Sequence, residues 1–254
     1  MTNTIRIIDT GLAPARWNVA MTAALVRLHG AGETPDTVRF HRYPACVLIG
    51  HGQQLSQAVD VAYCRRRGIE IARRITGGGA VFLSPRMLAW DVVLHRGSHA
   101  GGLEGLTRVV CEAVAASLAR PGASARFQPP NSITLDGAKI SGSSGYLDGP
   151  SAVLQGTILI EDDTADMAAA LGMSDATVRQ RVSCLAASLQ PAPTLADVQS
   201  ALASGVASRL QRTPVPTQPT KIELALADKL LCEEMGSEDY VAGSEENIAV
   251  ETVP

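Results

Sequence analysis

Arg73-Arg74-Ile75-Thr76-Gly77-Gly78-Gly79-Ala80-Val81-Phe82 is the stretch on which the reading of this chain turns. Three successive glycines leave a wall without Cβ atoms, so a ligand can lie against the main chain. Their N–H groups can form an anion-binding nest. Arg74 adds a fork-shaped donor suited to a carboxylate or phosphate. A lone triple glycine is more often a tight turn with its arginines in solvent. Here Ile69-Glu70-Ile71-Ala72 precedes it and Ala80-Val81-Phe82-Leu83 follows, both with strand character. A turn held between two strands, with two arginines beside it, points to a binding role.

A second segment, Asn131-Ser132-Ile133-Thr134-Leu135-Asp136-Gly137-Ala138-Lys139-Ile140-Ser141-Gly142-Ser143, supports that reading. Asp136-Gly137 is a hairpin signal between Ile133-Thr134-Leu135 and Lys139-Ile140. Small residues after Lys139 leave room for its ammonium to reach an acyl-phosphate oxygen, although a single lysine is more commonly a surface group. A third segment, Leu154-Gln155-Gly156-Thr157-Ile158-Leu159-Ile160, reads as a strand with glycine at a point of close approach. Together the three suggest a pocket for an acyl group and a phosphate.

In this order the segments resemble the catalytic domain of the lipoate–protein ligase family, within the biotin/lipoate ligase superfamily. That family carries an RRxSGGGAVFHD-type motif, an N-D-x-x-x-x-G-x-K-I-S-G-S motif and an H-H-G-T-type strand. Trp17–Met21, Pro44–Gly52, Asp60–Cys64 and Arg181-Val182-Ser183-Cys184-Leu185 resemble further family stretches, so the resemblance covers most of the chain. Departures fall on one side of the motif set. Leu83-Ser84 stand where the family has His-Asp, Ser132 where it has an Asp linked to magnesium and phosphate, and Gln155 where His is common.

The resemblance implies two half-reactions. Lipoate or octanoate attacks the α-phosphate of ATP to give an acyl-adenylate, and a lysine of a carrier protein then takes the acyl group and releases AMP. It implies Lys139 as electrostatic anchor and Arg74 as clamp. Thr76, Gly77, Gly78, Gly79, Ala80 and Val81 form the wall, and Asn131, Ser141 and Gly142 the phosphate or adenine side. Gln155, Gly156 and Thr157 lie along the acyl tunnel. ATP and lipoate are the implied ligands. Mg2+ is implied with them, but no protein metal ligand is identified and the departures leave metal use open. The implied partner is a lipoyl domain or a glycine-cleavage H-like protein. A large C-terminal accessory domain of the family is not evident, so a separate accessory subunit is a further expectation.

Three alternatives stay open. An acyl-carrier-dependent octanoyl or lipoyl transferase needs an activated cysteine, and Arg126-Phe127-Gln128-Pro129-Pro130, just before Asn131, contains none. A biotin ligase fits the lysine but less well the GGGAV run. A non-catalytic lipoate-binding protein fits the substitutions at Leu83 and Ser132.

Composition bounds the remainder. The chain has 254 residues, enough for one large domain, which is expected over 1–240 with an acidic, partly disordered tail over 241–254. Aromatic residues are only 4% against 46% hydrophobic, so aliphatic side chains must build the core. A net charge of −3 gives no basic footprint for nucleic acid. Arg65-Arg66-Arg67 with Arg73-Arg74 is a candidate local patch for an acidic carrier, although a solvated helix end is the commoner role. Cys46, Cys64, Cys111, Cys184 and Cys232 are scattered without metal or disulfide spacing. His51, between two glycines, is a weaker pocket candidate. With no signal pattern and no membrane-length apolar run, a cytoplasmic enzyme is expected.

The pattern predicts helices over 16–29, 57–67, 103–118, 167–171, 194–210 and 221–234, the fifth opened by a Thr194–Asp197 capping box. Strands are predicted at 37–41, 45–50, 69–72, 88–94 and in the hairpin. Pro214–Pro219 reads as linker or extended chain. Without regular βαβ alternation, the expected class is α/β of the α+β type: a mixed, mainly antiparallel sheet with helices packed on one face.

Overall fold

A computed structural model describes residues 3–98, 100–120 and 123–243. The chain opens with β1 (Thr4–Leu12), α1 (Ala15–Gly30), β2 (Thr37–Arg42) and β3 (Cys46–Ile49). Short helices α2 (Leu55–Ala58) and α3 (Val61–Arg67) lead into β4 (Glu70–Arg73), β5 (Val81–Leu83) and β6 (Met87–His95). Helix α4 (Gly102–Leu118) precedes β7 (Ala125–Gln128), β8 (Ser132–Leu135), β9 (Ala138–Asp148) and β10 (Ser151–Leu159). Four helices follow: α5 (Thr164–Ala170), α6 (Asp175–Arg181), α7 (Leu185–Ser188) and α8 (Leu195–Arg209). The described chain closes with β11 (Thr213–Pro216), α9 (Lys221–Leu230), a π-helical turn Leu231–Met235 and α10 (Glu238–Ala242).

Eight strands form one sheet in the order β11-β1-β2-β6-β10-β9-β8-β7, and a second sheet has the order β4-β3-β5. The large sheet is mixed, because β1 runs parallel to both β2 and β11 while the other pairs are antiparallel. The near-continuous apolar run of β6 follows from burial on both faces. Leu88, Trp90, Val92 and Leu94 enter one core with α4 and α8. Met87, Ala89 and Val93 enter the other with α1 and the small sheet. Helices therefore cover both faces, where the sequence pattern suggested one.

Local chemistry explains the boundaries. Pro14 gives α1 no side-chain cap, and the Glu70 carboxylate on β4 accepts from the Ala15 and Arg16 amides instead. The predicted helix 57–67 is split, because Asp60 accepts from the Tyr63 amide and starts α3 afresh. Gly68 ends it at φ 63°. The Thr194–Asp197 capping box is present. Of Pro214–Pro219, read as linker or extended chain, Pro214–Pro216 is extended in the edge strand β11, a position that tolerates proline. Helix α9 stops at Leu230 and passes into the π turn, short of Glu234. Of the tail expected over 241–254, Val241 and Ala242 lie in α10 and Gly243 follows it, and 244–254 lies outside the described residues. No helix among the described residues is long and apolar enough to cross a membrane.

Candidate active site

The loop from Arg74 to Ala80 joins β4 to β5, which flank β3 on opposite sides and do not pair with each other. It is a crossover over the end of the small sheet, not a hairpin. Gly78 takes φ 89°, which disfavours any side chain. It also passes close to Gly50, where a Cβ would stand 2.0 Å from the Gly78 carbonyl oxygen. Gly50 is thus required by the backbone of the loop opposite.

Arg74 is buried beneath this loop. Its Nε donates to Thr76 Oγ1 at 3.1 Å and its Nη1 to the Leu48 carbonyl at 3.0 Å. Its Nη2 donates to the Gly77 and Gly79 carbonyls at 2.7 and 2.8 Å. A guanidinium has five N–H groups, so this one is largely committed to the protein. Burial pulls its pKa down to about 10. With the carbonyls turned toward Arg74, the amides of Gly77, Gly78 and Gly79 make no backbone bond among the described residues. Successive amides without a backbone acceptor are what an anion-binding nest requires, and Gly78 and Gly79 stand in the cavity wall.

Arg73 points the other way. Its Nη1 donates to the carbonyls of Gly50, His51 and Gln53 at 2.7–3.0 Å. Its Nε and Nη2 bind the carbonyls of Tyr240, Val241 and Ala242. The adjacent arginines therefore have separate structural tasks, and Arg73 contributes to no basic patch. Arg65, Arg66 and Arg67 are exposed at the end of α3.

Between the glycine loop and the large sheet lies a cavity of about 200 Å3. Of the residues picked out in the sequence, Arg74, Gly78, Gly79, Ala80, Val81, Asn131, Lys139, Gly142, Gln155, Gly156 and Thr157 line it. Thr76 sits just behind, while Gly77 and Ser141 are not in the wall; Ser141 is buried on β9. His51 lines neighbouring cavities instead.

Lys139 is half-buried, and no hydrogen bond or ion pair ties its ammonium to a described residue. Burial lowers its pKa from the ordinary lysine value. A cation left without a partner at a cavity wall is poised for an anion. Asn131 is fixed nearby, its carbonyl accepting from the Ser143 amide at 2.9 Å. Gly156 makes room for Trp90, since a Cβ there would stand 2.2 Å from Trp90 Cζ2.

The sequence reading missed the polar floor, to which β2, β6 and α1 contribute. Asp91 is fully buried; its Oδ2 accepts from Thr22 Oγ1 at 2.8 Å and Arg39 Nη1 at 3.2 Å. Its Oδ1 accepts from Gln155 Nε2 at 3.0 Å. Gln155 Oε1 in turn accepts from Thr76 Oγ1 at 2.9 Å, so the relay joins the floor to the glycine loop. Burial raises the Asp91 pKa and lowers that of Arg39, and each partner's charge opposes the shift. Arginine stays protonated in proteins, so the pair is ionic. His41 and Tyr43 complete this wall. Thr37–His41 alternates polar and apolar residues, so in the sequence Arg39 and His41 read as the solvent face of a strand, whereas the structure buries them.

Among the described residues no group of three His, Cys, Asp or Glu side chains is placed to hold a metal. The cavity's one carboxylate, Asp91, is enclosed by its own partners. Ser84 hydrogen-bonds Asp163, which also pairs with Arg86 at 3.1 Å. The donor set therefore does not fit a resident magnesium.

No cysteine lines the cavity. Cys111 Sγ lies 3.3 Å from the hydroxyl of Ser143, a lining residue, and burial pushes its thiol up to about 11. Burial likewise holds Cys46 well above the ordinary thiol value and raises Cys64. Cys184 is buried and Cys232 is exposed.

Residues 14–207 match the lipoyl protein ligase A/B catalytic-domain model. An octanoyltransferase LipM of Moorella thermoacetica is 31% identical over 202 residues, covering 70% of this chain and 73% of that protein. A lipoate-protein ligase A subunit 1 of Thermoplasma acidophilum is 30% identical, covering 66% of each. A crystal structure of lipoate-protein ligase A bound with ATP superposes with a TM-score of 0.85 at 25% identity, covering 96% of this chain and 99% of that one. The bipartite lipoate protein ligase of Thermoplasma acidophilum, described with its E2 lipoyl domain, gives the same score and identity and covers 97% of that chain.

Proposed function

The chain belongs to the lipoyl protein ligase A/B catalytic-domain family, and from that premise we propose that it transfers a lipoyl or octanoyl group from an acyl-adenylate to a lysine of a lipoyl carrier. The observation that carries this reading is the pairing of an unpartnered Lys139 ammonium with a cavity that no thiol lines. An acyl group activated as a mixed anhydride needs charge stabilisation as its carbonyl oxygen turns negative. It does not need an enzyme nucleophile.

In this reading Lys139 faces the acyl carbonyl and phosphate oxygens, and the amides of Gly78 and Gly79 support the phosphate. Arg74 acts beneath them by turning the loop carbonyls away from the ligand, a positioning role in place of the expected direct clamp. Asn131 orients the nucleotide side. Ala80, Val81, Leu48, Leu83 and Gly156 supply the apolar wall against which an acyl chain lies. ATP forms the adenylate in the first half-reaction. Any magnesium enters with the nucleotide phosphates, and no step is assigned to a protein-held ion. The attacking amine comes from the carrier, a lipoyl domain or an H-like protein. The bipartite neighbour supports a second subunit as a further partner.

A second reading has its own support: several relatives, including that of Moorella thermoacetica, are named octanoyltransferases. Here the acyl group comes from a carrier thioester, and the same lysine anchors the carbonyl. The two readings separate on pyrophosphate release from ATP with free lipoate or octanoate. The ligase reading expects acid-dependent release that disappears in Lys139→Ala. No release, with acyl transfer from an acyl-carrier thioester intact, overturns it in favour of the transferase.

A further inference from the structure

Lys139 reaches the cavity through an irregularity in its own strand. Side chains of an unbroken strand alternate between faces, so residues 139 and 142 fall on opposite sides. Both nevertheless line the cavity. The register between β8 and β9 explains this: Thr134 pairs with Lys139, but Ile133 pairs with Ser141. Ile140 is the extra residue of a β-bulge, and it is buried in the core that holds α4 and α8. Gly142 then lies beside the Lys139 side chain, since a Cβ there would stand 3.3 Å from both Cε and Nζ.

A bulge leaves its ladder locally disrupted, and β10 does not repair this one. The β9–β10 pairing stops at Ser143, opposite Gly156. Beyond that point Lys139 is bridged to Val182, in parallel. The Ser183 amide donates to the Lys139 carbonyl at 2.9 Å. Three residues on, the Ala186 amide donates to the carbonyl of Ile160, just past β10, at 2.9 Å. The connection from α6 to α7 is therefore tied both to the bulged end of β9 and to the end of β10. None of Arg181–Leu185 lines the cavity, so this stretch can act on a ligand only through the residues it holds.

We propose that Ser183 is a positioning residue for Lys139: its amide holds the bulged backbone so that the ammonium meets the anionic part of the acyl donor. The inference rests on reading the cavity as an acyl-adenylate site and adds the device that places its cation. With no hydrogen bond from its ammonium to a described residue, Lys139 is placed by its backbone and its packing alone. A charge-stabilising group works when it is held in place beforehand. A displacement of about 1 Å, caused by a change away from the chemistry, can forfeit much of its effect.

The test is calorimetric titration of the purified protein with a non-hydrolysable lipoyl-adenylate analogue. Ser183→Pro deletes the amide, and Val182, at φ −120° and ψ 139°, already has the extended conformation that precedes proline. Ser183→Ala keeps the amide. The expected result is about tenfold weaker binding in Ser183→Pro, within the range for residues in contact, and wild-type binding in Ser183→Ala. In a Lys139→Ala background, adding Ser183→Pro should cost nothing more. Equal affinity of the two Ser183 variants overturns the inference. So does a tenfold loss that persists without the Lys139 side chain, which marks a purely structural bond. Circular dichroism confirms that each variant is folded; should Ser183→Pro fail to fold, hydrogen exchange decides. Because coupling is reciprocal, the analogue should slow exchange of the Ser183 amide in the wild type and not in Lys139→Ala, and any other pattern overturns the inference. No binding of the analogue by the wild type overturns the acyl-adenylate reading itself.

Discussion

Lys139 is the residue on which most of the chemistry rests. Replacing it with alanine is expected to reduce acyl transfer by about 100-fold or more, the range for losing one preorganised charge-stabilising group. Thermal unfolding should barely change, since the ammonium has no protein partner to lose. Its pKa is lowered by burial, so the neutral amine appears at lower pH than for a solvated lysine. Binding of a non-hydrolysable acyl-adenylate analogue should then weaken as pH rises toward the ordinary lysine range. Lys139→Arg, charged throughout, should hold its affinity to higher pH; identical profiles would contradict the assignment. At Gly156 the constraint is space. Gly156→Ala drives a Cβ against Trp90 and should cost about 1–3 kcal/mol in urea unfolding. At this scale the sequence was legible in placement, since Gly78, Gly79 and Lys139 all line the cavity. It made Arg74 a ligand clamp, because an arginine that binds a ligand and one that props a loop have the same neighbours in sequence.

At the scale of elements, caps and turns were readable because their chemistry is local. Thr194→Ala should lower stability by about 1 kcal/mol through loss of the capping box on α8, measurable as a drop in Tm. The glycine loop depended on a partner distant in sequence. Its carbonyls are held by Arg74, and the opposing backbone is Gly50. In Arg74→Lys the fork is lost. Hydrogen exchange at the 77–80 amides should quicken, and KM for the acyl donor should rise more than kcat falls. Unchanged exchange would show that Arg74 does not order the loop. The helix over 57–67 was predicted whole because its apolar spacing continues across Asp60, and only the side-chain cap reveals the break. β11 stood between linker and extended chain in the sequence because its prolines mask the strand signal at an edge.

Across the whole molecule, the two cores were implied by a strand with no polar face, Met87–Leu94, although covering helices had been expected on one side only. The polar floor was not legible, because Thr22, Arg39 and Asp91 meet Gln155 only after three strands and a helix have packed. The end of the described chain is tied back by Arg73. Arg73→Ala leaves buried carbonyls of the 50–53 loop and α10 without donors. It should cost about 1–3 kcal/mol and expose 237–243 to proteolysis, with the cavity itself intact.

The measurement that tests the account most directly is intact-mass spectrometry of a lipoyl domain and of the enzyme in one reaction. The donors compared are lipoate with ATP, preformed lipoyl-AMP, and an octanoyl-loaded acyl carrier. The account predicts that the lipoyl domain gains one lipoyl mass from lipoyl-AMP, and from lipoate with ATP. The enzyme should stay at its unmodified mass, and prior alkylation of accessible thiols should have no effect. An acyl-enzyme mass mapping to a cysteine, with transfer confined to the acyl-carrier donor, would contradict it.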